Sequence, residues 1–139
     1  MGIPPPLRYS GHNPGLANPS SMLDIMPSPH LIQHEWTTHG TCSGLDANAY
    51  FASIRKAFAA TKIPAQFAST SKQLTLSPSQ IERAFQQSNP GLPKGGVLVT
   101  CPSNYLQGVE ICLDKSLNHI ICPAPHDCNA RSIKVPPIP

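Results

Sequence analysis

The sequence predicts an α+β domain in which helices precede an antiparallel sheet, and three observations carry that expectation. Between residues 28 and 88, three stretches place apolar positions at helical spacing after a helix-starting residue. From Gly95 onward the pattern changes to short β-branched runs and period-two alternation. Turns of only a few residues separate those runs, which suits antiparallel pairing, and the order of helices then strands marks the α+β class.

Each element has its own local reason. Residues 1–21 are rich in Pro, Gly, Asn and Ser, with few apolar anchors, and read as an irregular segment. In SPHLIQHEWTTHG, Ser28 is the expected N-cap, Pro29 the first helical residue and Gly40 the stop. A second helix is expected after Asp46, with Phe51, Ile54 and Phe58 on one face and Pro64 beyond its end. LSPSQIERAFQQS is the clearest helix: Ser77 caps, Pro78 opens, Gln80 completes a capping box, and Ile81, Ala84 and Phe85 form the buried stripe. GGVLVTC (95–101) reads as a buried strand, and YLQGVEICLDK (105–115) as an alternating one with Val109, Ile111 and Leu113 on one face. HIICPAP is expected to add a third, shorter strand.

With 139 residues, one domain spanning 1–139 is the natural count. Of the 17 prolines, against roughly seven for an average chain of this length, twelve lie up to Pro29 or after Ile121, so both ends are expected to be irregular. Charged residues are only 12%, and the net charge of +3 is a mild surplus compatible with a polyanionic ligand. No apolar run approaches the roughly 20 residues of a membrane span, so no membrane partner is expected. The N-terminus lacks the charged and apolar blocks of a signal peptide. Either a leader has been removed or the chain begins inside something longer.

Five cysteines are unevenly placed. Cys101, Cys112, Cys122 and Cys128 cluster near the end, with no CxxC pair among them. Two disulfides among these four are expected, hence an oxidising compartment, secreted or periplasmic. Cys42 is left over.

Cys42 closes HEWTTHGTC (34–42), which concentrates two histidines, a glutamate and the only tryptophan. On a helix, Glu35 and His39 share one line and His34 and Thr38 the adjacent one. The histidines are five apart, roughly 140° round the helix, unlike the four of HExxH zinc sites, and no metal is assigned. Histidines beside a carboxylate suit proton transfer and phosphate binding, the inventory for RNA transesterification. A solvated helix face with Trp36 in the core explains the same residues.

HEWTTHGTCSG closely resembles the second active-site segment of the ribonuclease T2 family, whose usual form is HEWxKHGTC. LDIMPSPHLIQ, LSPSQIERAF and GVEICLDK are similar to the same family, so the resemblance covers residues 22–135 of the chain. It implies an α+β fold and an endoribonuclease that needs no cofactor. Such enzymes cut single-stranded RNA through a 2′,3′-cyclic phosphate to 3′-phosphate ends. By the same resemblance, His39 takes the 2′-hydroxyl proton, His34 binds the phosphate, and Glu35 helps polarise it. Trp36 and Thr38 join His34 as substrate-binding positions, although for Trp36 packing comes ahead of base stacking. The resemblance further implies nested disulfides, Cys101 with Cys128 and Cys112 with Cys122, and a structural partner for Cys42.

Two departures bear on turnover. Thr38 stands where the pattern has lysine, and losing one aimed stabilising donor costs about 2.7–4 kcal/mol of barrier. A bound cation, or an arginine from elsewhere such as Arg8 or Arg131, could offset part of that. Nor does anything match the family's first active-site segment, of the form HGLWP, which carries the general-acid histidine; the flanks of His12 do not fit. That absence and the odd Cys42 have one expected cause, a chain equivalent to the C-terminal portion of the family fold and incomplete on its N-terminal side. Three readings follow: an RNA-cleaving descendant with weak or no activity on its own, a non-catalytic RNA-binding module, or half of a split enzyme completed by a second chain or missing N-terminal segment at Cys42. Lys115 and Lys134 are lone charges able to meet phosphates, His126 reads as structural, and His30 and His119 read as solvent-facing loop or helix-start residues.

Overall fold

A computed structural model describes residues 22–68, 70–123 and 128–137. The segment 1–21, with Arg8 and His12, and His126 lie outside the described residues. The chain divides into two compact units, up to Ala60 and from Thr61.

The first unit is built from α1 (Pro29–Thr38) and α2 (Ala47–Ala60), joined by a single 3₁₀ turn, Gly40–Cys42. Ser28 caps α1, its hydroxyl accepting from the Leu31 N–H at 3.1 Å. Asp46 does the same for α2, accepting from the Ala49 N–H at 2.8 Å. Ile32 and Trp36, one helical turn apart, meet Ala47 and Phe51 from α2 and Met22 from the preceding turn in one apolar cluster. Ile54 packs against that cluster, but Phe58 does not complete the expected stripe and is 55% exposed. A bidentate pair from Arg55 to Asp24, at 2.9 and 2.7 Å, ties the entry segment to α2.

The second unit contains α3 (Ala65–Ala68), β1 (Leu74–Leu76), α4 (Pro78–Ser88), β2 (Val97–Thr100), β3 (Gly108–Ile111) and β4 (Ile133–Val135). The capping box of α4 is reciprocal: Ser77 Oγ accepts from the Gln80 N–H, and Gln80 Oε1 accepts from the Ser77 N–H. Ile81, Ala84 and Phe85 turn inward as the spacing requires, and pack with Phe67, Val97, Val99, Ile133 and Val135. Helices and antiparallel strands together confirm the α+β class.

The sheet differs from the expectation in extent and partners. Two separate two-stranded antiparallel ladders form, β1 with β4 and β2 with β3, in place of one sheet. Registers run Leu74↔Val135 to Leu76↔Ile133, and Val97↔Ile111 to Thr100↔Gly108. Over its described residues, 119–123, HIICPAP forms no strand. Among those residues the one bridge is His119 to Leu113, and Pro123 has no N–H to offer a longer ladder. β4 instead arises inside the proline-rich end, where Ile133 and Val135 are buried on either side of exposed Lys134. The expected strand 105–115 is ladder only over 108–111; outside it Tyr105 bridges Lys134 and Leu113 bridges His119 as single pairs.

Two nested disulfides, Cys101–Cys128 and Cys112–Cys122, have Cα separations of 5.5 and 5.3 Å. Both fit an oxidising compartment. No helix among the described residues is long and apolar enough to cross a membrane.

Candidate active site

The candidate strip is the end of α1. With Ile32 and Trp36 committed to the core, the remaining rows of the helix turn outward: His34 and Thr38 are exposed and Glu35 is half-buried. Helical backbone stops after Thr38, one residue short of a helix running to His39. His39 is the C-cap, and its N–H donates to the Glu35 carbonyl at 2.9 Å. The next turn is tighter, with the Cys42 N–H donating to the His39 carbonyl at 3.1 Å.

This stop needs a glycine at residue 40. A Cβ at residue 40 would lie 2.1 Å from Cε3 and 2.7 Å from Cζ3 of Trp36. The indole ring therefore lies across the bare backbone of Gly40, and any side chain would displace it. Trp36 fixes the turn that presents His39, which is a packing role; it is 8% exposed. Its Nε1–H is buried with no hydrogen-bond partner among the described residues.

Glu35 and His39 are brought together. His39 Nε2 stands 3.8 Å from Glu35 Oε2, with 62% of the histidine side chain and 31% of the glutamate side chain exposed. The carboxylate and the imidazole thus face each other and stay open to solvent, and both are residue types able to transfer protons. His34 makes no hydrogen bond or ion pair with either; its place on the helix directs it elsewhere round the cylinder. Thr38 offers a solvent-facing hydroxyl. Cys42 is a half-buried free thiol.

Tyr50 is a neighbour that sequence reasoning missed. From α2 its ring packs on Trp36 at 5.7 Å and edge-on against Phe51 at 5.1 Å. Burial first, and the negative charge of Glu35 second, push its phenol pKa up, so it remains a neutral O–H at all physiological pH. Its proximity to Glu35 depends on how α2 packs on α1, and no spacing within the motif carries that. Arg131 is exposed in the second unit, and Cys101, Cys112, Cys122 and Cys128 serve there as staples. Among the described residues no three His, Cys, Asp or Glu side chains gather closely enough to hold a metal ion.

The sequence model of the ribonuclease T2 family matches residues 21–128, a span that contains the whole strip. The chain belongs to the ribonuclease T2 family. No curated protein sequence matches it. Among solved structures, an RNase-related protein from Calystegia sepium is similar over 76% of this chain, with a TM-score of 0.60 and 22% identity. The shared feature at that identity is the fold. The ribonuclease T2 match runs through both compact units, whereas this chain spans about half, 53%, of the Calystegia protein. Family membership thus places His34, Glu35 and His39 inside a ribonuclease T2-like sequence, and the structure sets two of the three face to face.

Proposed function

We propose that this chain acts on single-stranded RNA as a ribonuclease T2-type endoribonuclease, and that the two units work as one domain. The observation that carries the reading is the solvent-open Glu35–His39 pair, 3.8 Å apart, on the segment that matches the family motif. His39 takes the proton from the 2′-hydroxyl, and the freed oxygen attacks the adjacent phosphorus. The new 2′-oxygen–phosphorus bond closes a 2′,3′-cyclic phosphate as the bond to the 5′-oxygen breaks, and that oxygen takes a proton from solvent water. Glu35 helps polarise the phosphate, and its carboxylate stands beside the imidazole that becomes protonated. His34 supplies a second imidazole to a phosphate oxygen, and water then opens the ring to a 3′-phosphate. Trp36 supports this site by packing, and Thr38 contributes a hydroxyl where the family pattern has a cation. Slow turnover is the expected result, since one lost stabilising donor costs about 2.7–4 kcal/mol.

The reading is tested with purified chain, single-stranded RNA and EDTA at about pH 5 to 7. Cyclic-phosphate ends that vanish in His39→Ala support it. Products that persist in that variant would overturn the assignment of the base. A second reading, an RNA-binding chain without turnover, draws on Thr38; retained, salt-sensitive binding with no cleavage would favour it. Secretion to an oxidising compartment, and pairing of Cys42 with a second chain, belong to the same proposal. Intact mass with and without reductant reads the state of that thiol directly.

A further inference from the structure

The charge of this chain is unevenly divided. Up to Ala60, three cations balance three carboxylates, so the unit bearing Glu35 and His39 has no net charge. From Thr61 onward, seven cations face four carboxylates, and the whole surplus of +3 lies there. Within that unit the cations concentrate around the β1–β4 ladder. Segments 70–76, 102–107 and 128–137 contain Lys72, Arg131 and Lys134 and not one Asp or Glu.

Lys134 is at the centre of this surface. Ile133 and Val135 point into the core, so Lys134 between them points out. Thr75 of β1 pairs with it on one side and is also exposed. On the other side Tyr105 bridges Lys134 in parallel register, fastened by the Leu106 N–H donating to the Lys134 carbonyl at 2.8 Å. Leu106 packs against the core, so Tyr105, its neighbour, turns outward and is 44% exposed. Lys134 Nζ stands 5.4 Å from the centre of the Tyr105 ring. The preceding turn holds Ser103 and Asn104 at φ 55° and 63°, left-handed backbone in two successive non-glycine residues, and it leads directly into Tyr105.

We propose that Tyr105 and Lys134 form a nucleotide subsite for single-stranded RNA, remote in sequence from the His34–His39 strip. A base stacks on the Tyr105 ring, and the Lys134 ammonium exchanges its weak, solvent-exposed contact with that ring for the neighbouring phosphate. Arg131 and Lys72 carry the cationic track to either end of the ladder. An acidic peptide would use the same cations, but it has no base to lay on the one exposed ring among them. The choice of RNA rests on the proposed function; the subsite itself reads a base face and a phosphate, and needs no 2′-hydroxyl.

The test uses a labelled single-stranded oligothymidylate of about 12 nucleotides, which the catalytic strip cannot cleave. Tyr105→Ala is expected to weaken its binding roughly fivefold or more, and Tyr105→Phe to keep it within about twofold of the parent. Lys134→Gln is expected to reduce the slope of log affinity against log salt by about 0.7. Circular dichroism checks that each variant folds. Unchanged binding in Tyr105→Ala would overturn the subsite, as would failure of the parent chain to bind the oligomer at low salt. So would polyglutamate competing as well as polyuridylate. RNA cleavage measured on the same samples keeps the two ideas apart: His39→Ala that loses cleavage but holds the oligomer leaves both standing. Cleavage unchanged in Tyr105→Ala together with unchanged binding sinks the subsite alone.

Discussion

Replacing Gly40 by alanine should disrupt the turn that presents His39. The added Cβ would begin 2.1 Å from Trp36 Cε3, whereas ordinary contact starts at 3.4 Å, so the ring must retreat by about 1.3 Å. It has little room to do so. Ile32 on the same helix face is fully buried, and Tyr50 closes on the indole at 5.7 Å. Overpacking of this kind costs about 1–3 kcal/mol. Expelling the ring altogether forfeits burial on the scale of a Trp truncation, about 3–5 kcal/mol. A loss of about 2–4 kcal/mol is expected, near 10 °C in melting temperature for a chain of this size. Trp36 is the only tryptophan, so its fluorescence during urea unfolding reports on the site itself. Adding Trp36→Phe, which removes the clashing part of the indole, should make the double variant cost less than the two single changes summed. A stability change under about 0.5 kcal/mol with unshifted emission would refute the packing account of Gly40.

Asn89 is a buried polar residue in the second unit that makes three hydrogen bonds: its Nδ2 donates to the Lys62 and Phe85 carbonyls, and its Oδ1 accepts from the Lys62 N–H. Asn89→Ala should cost about 2–4 kcal/mol in urea unfolding, most of it from the groups left unpaired. Removing Cys101–Cys128 should cost more than removing Cys112–Cys122, about 3.6 against about 2.7 kcal/mol, because the first closes 27 residues and the second 10; paired Cys→Ser variants compared by chemical denaturation check the order. The hydrogen bonds from Arg55 hold the Asp24 carboxyl below the ordinary carboxylate range. A depressed folded-state pKa stabilises above the unfolded value and is lost as pH falls through the folded one. The small stability difference between the parent and Asp24→Asn should therefore be present at neutral pH and vanish in acid, and a difference that grows in acid would reverse the assignment.

Helix starts and stops were legible in the sequence because the groups that make them lie within four residues of one another. Ser28 reaches Leu31, Asp46 reaches Ala49, and Ser77 and Gln80 bond reciprocally; each partner is set by chain connectivity. The same locality made the strip readable, since Glu35 and His39 meet through the four-residue helical spacing.

What the tertiary structure decided involves partners far apart in the chain. β1 and β4 are three residues each, too short to show a period, and they exist because Leu74 meets Val135 and Leu76 meets Ile133 across about sixty positions. Tyr50 belongs beside Glu35 only because α2 lays it on Trp36. Tyr105 and Lys134 become neighbours through a parallel bridge that neither flanking sequence announces. Sequence by itself determined the local caps, the helix face and the residue types that HEWTTHGTC brings together. Burial of apolar surface, which acts without regard to sequence distance, selected the strand pairs and the neighbours of the site.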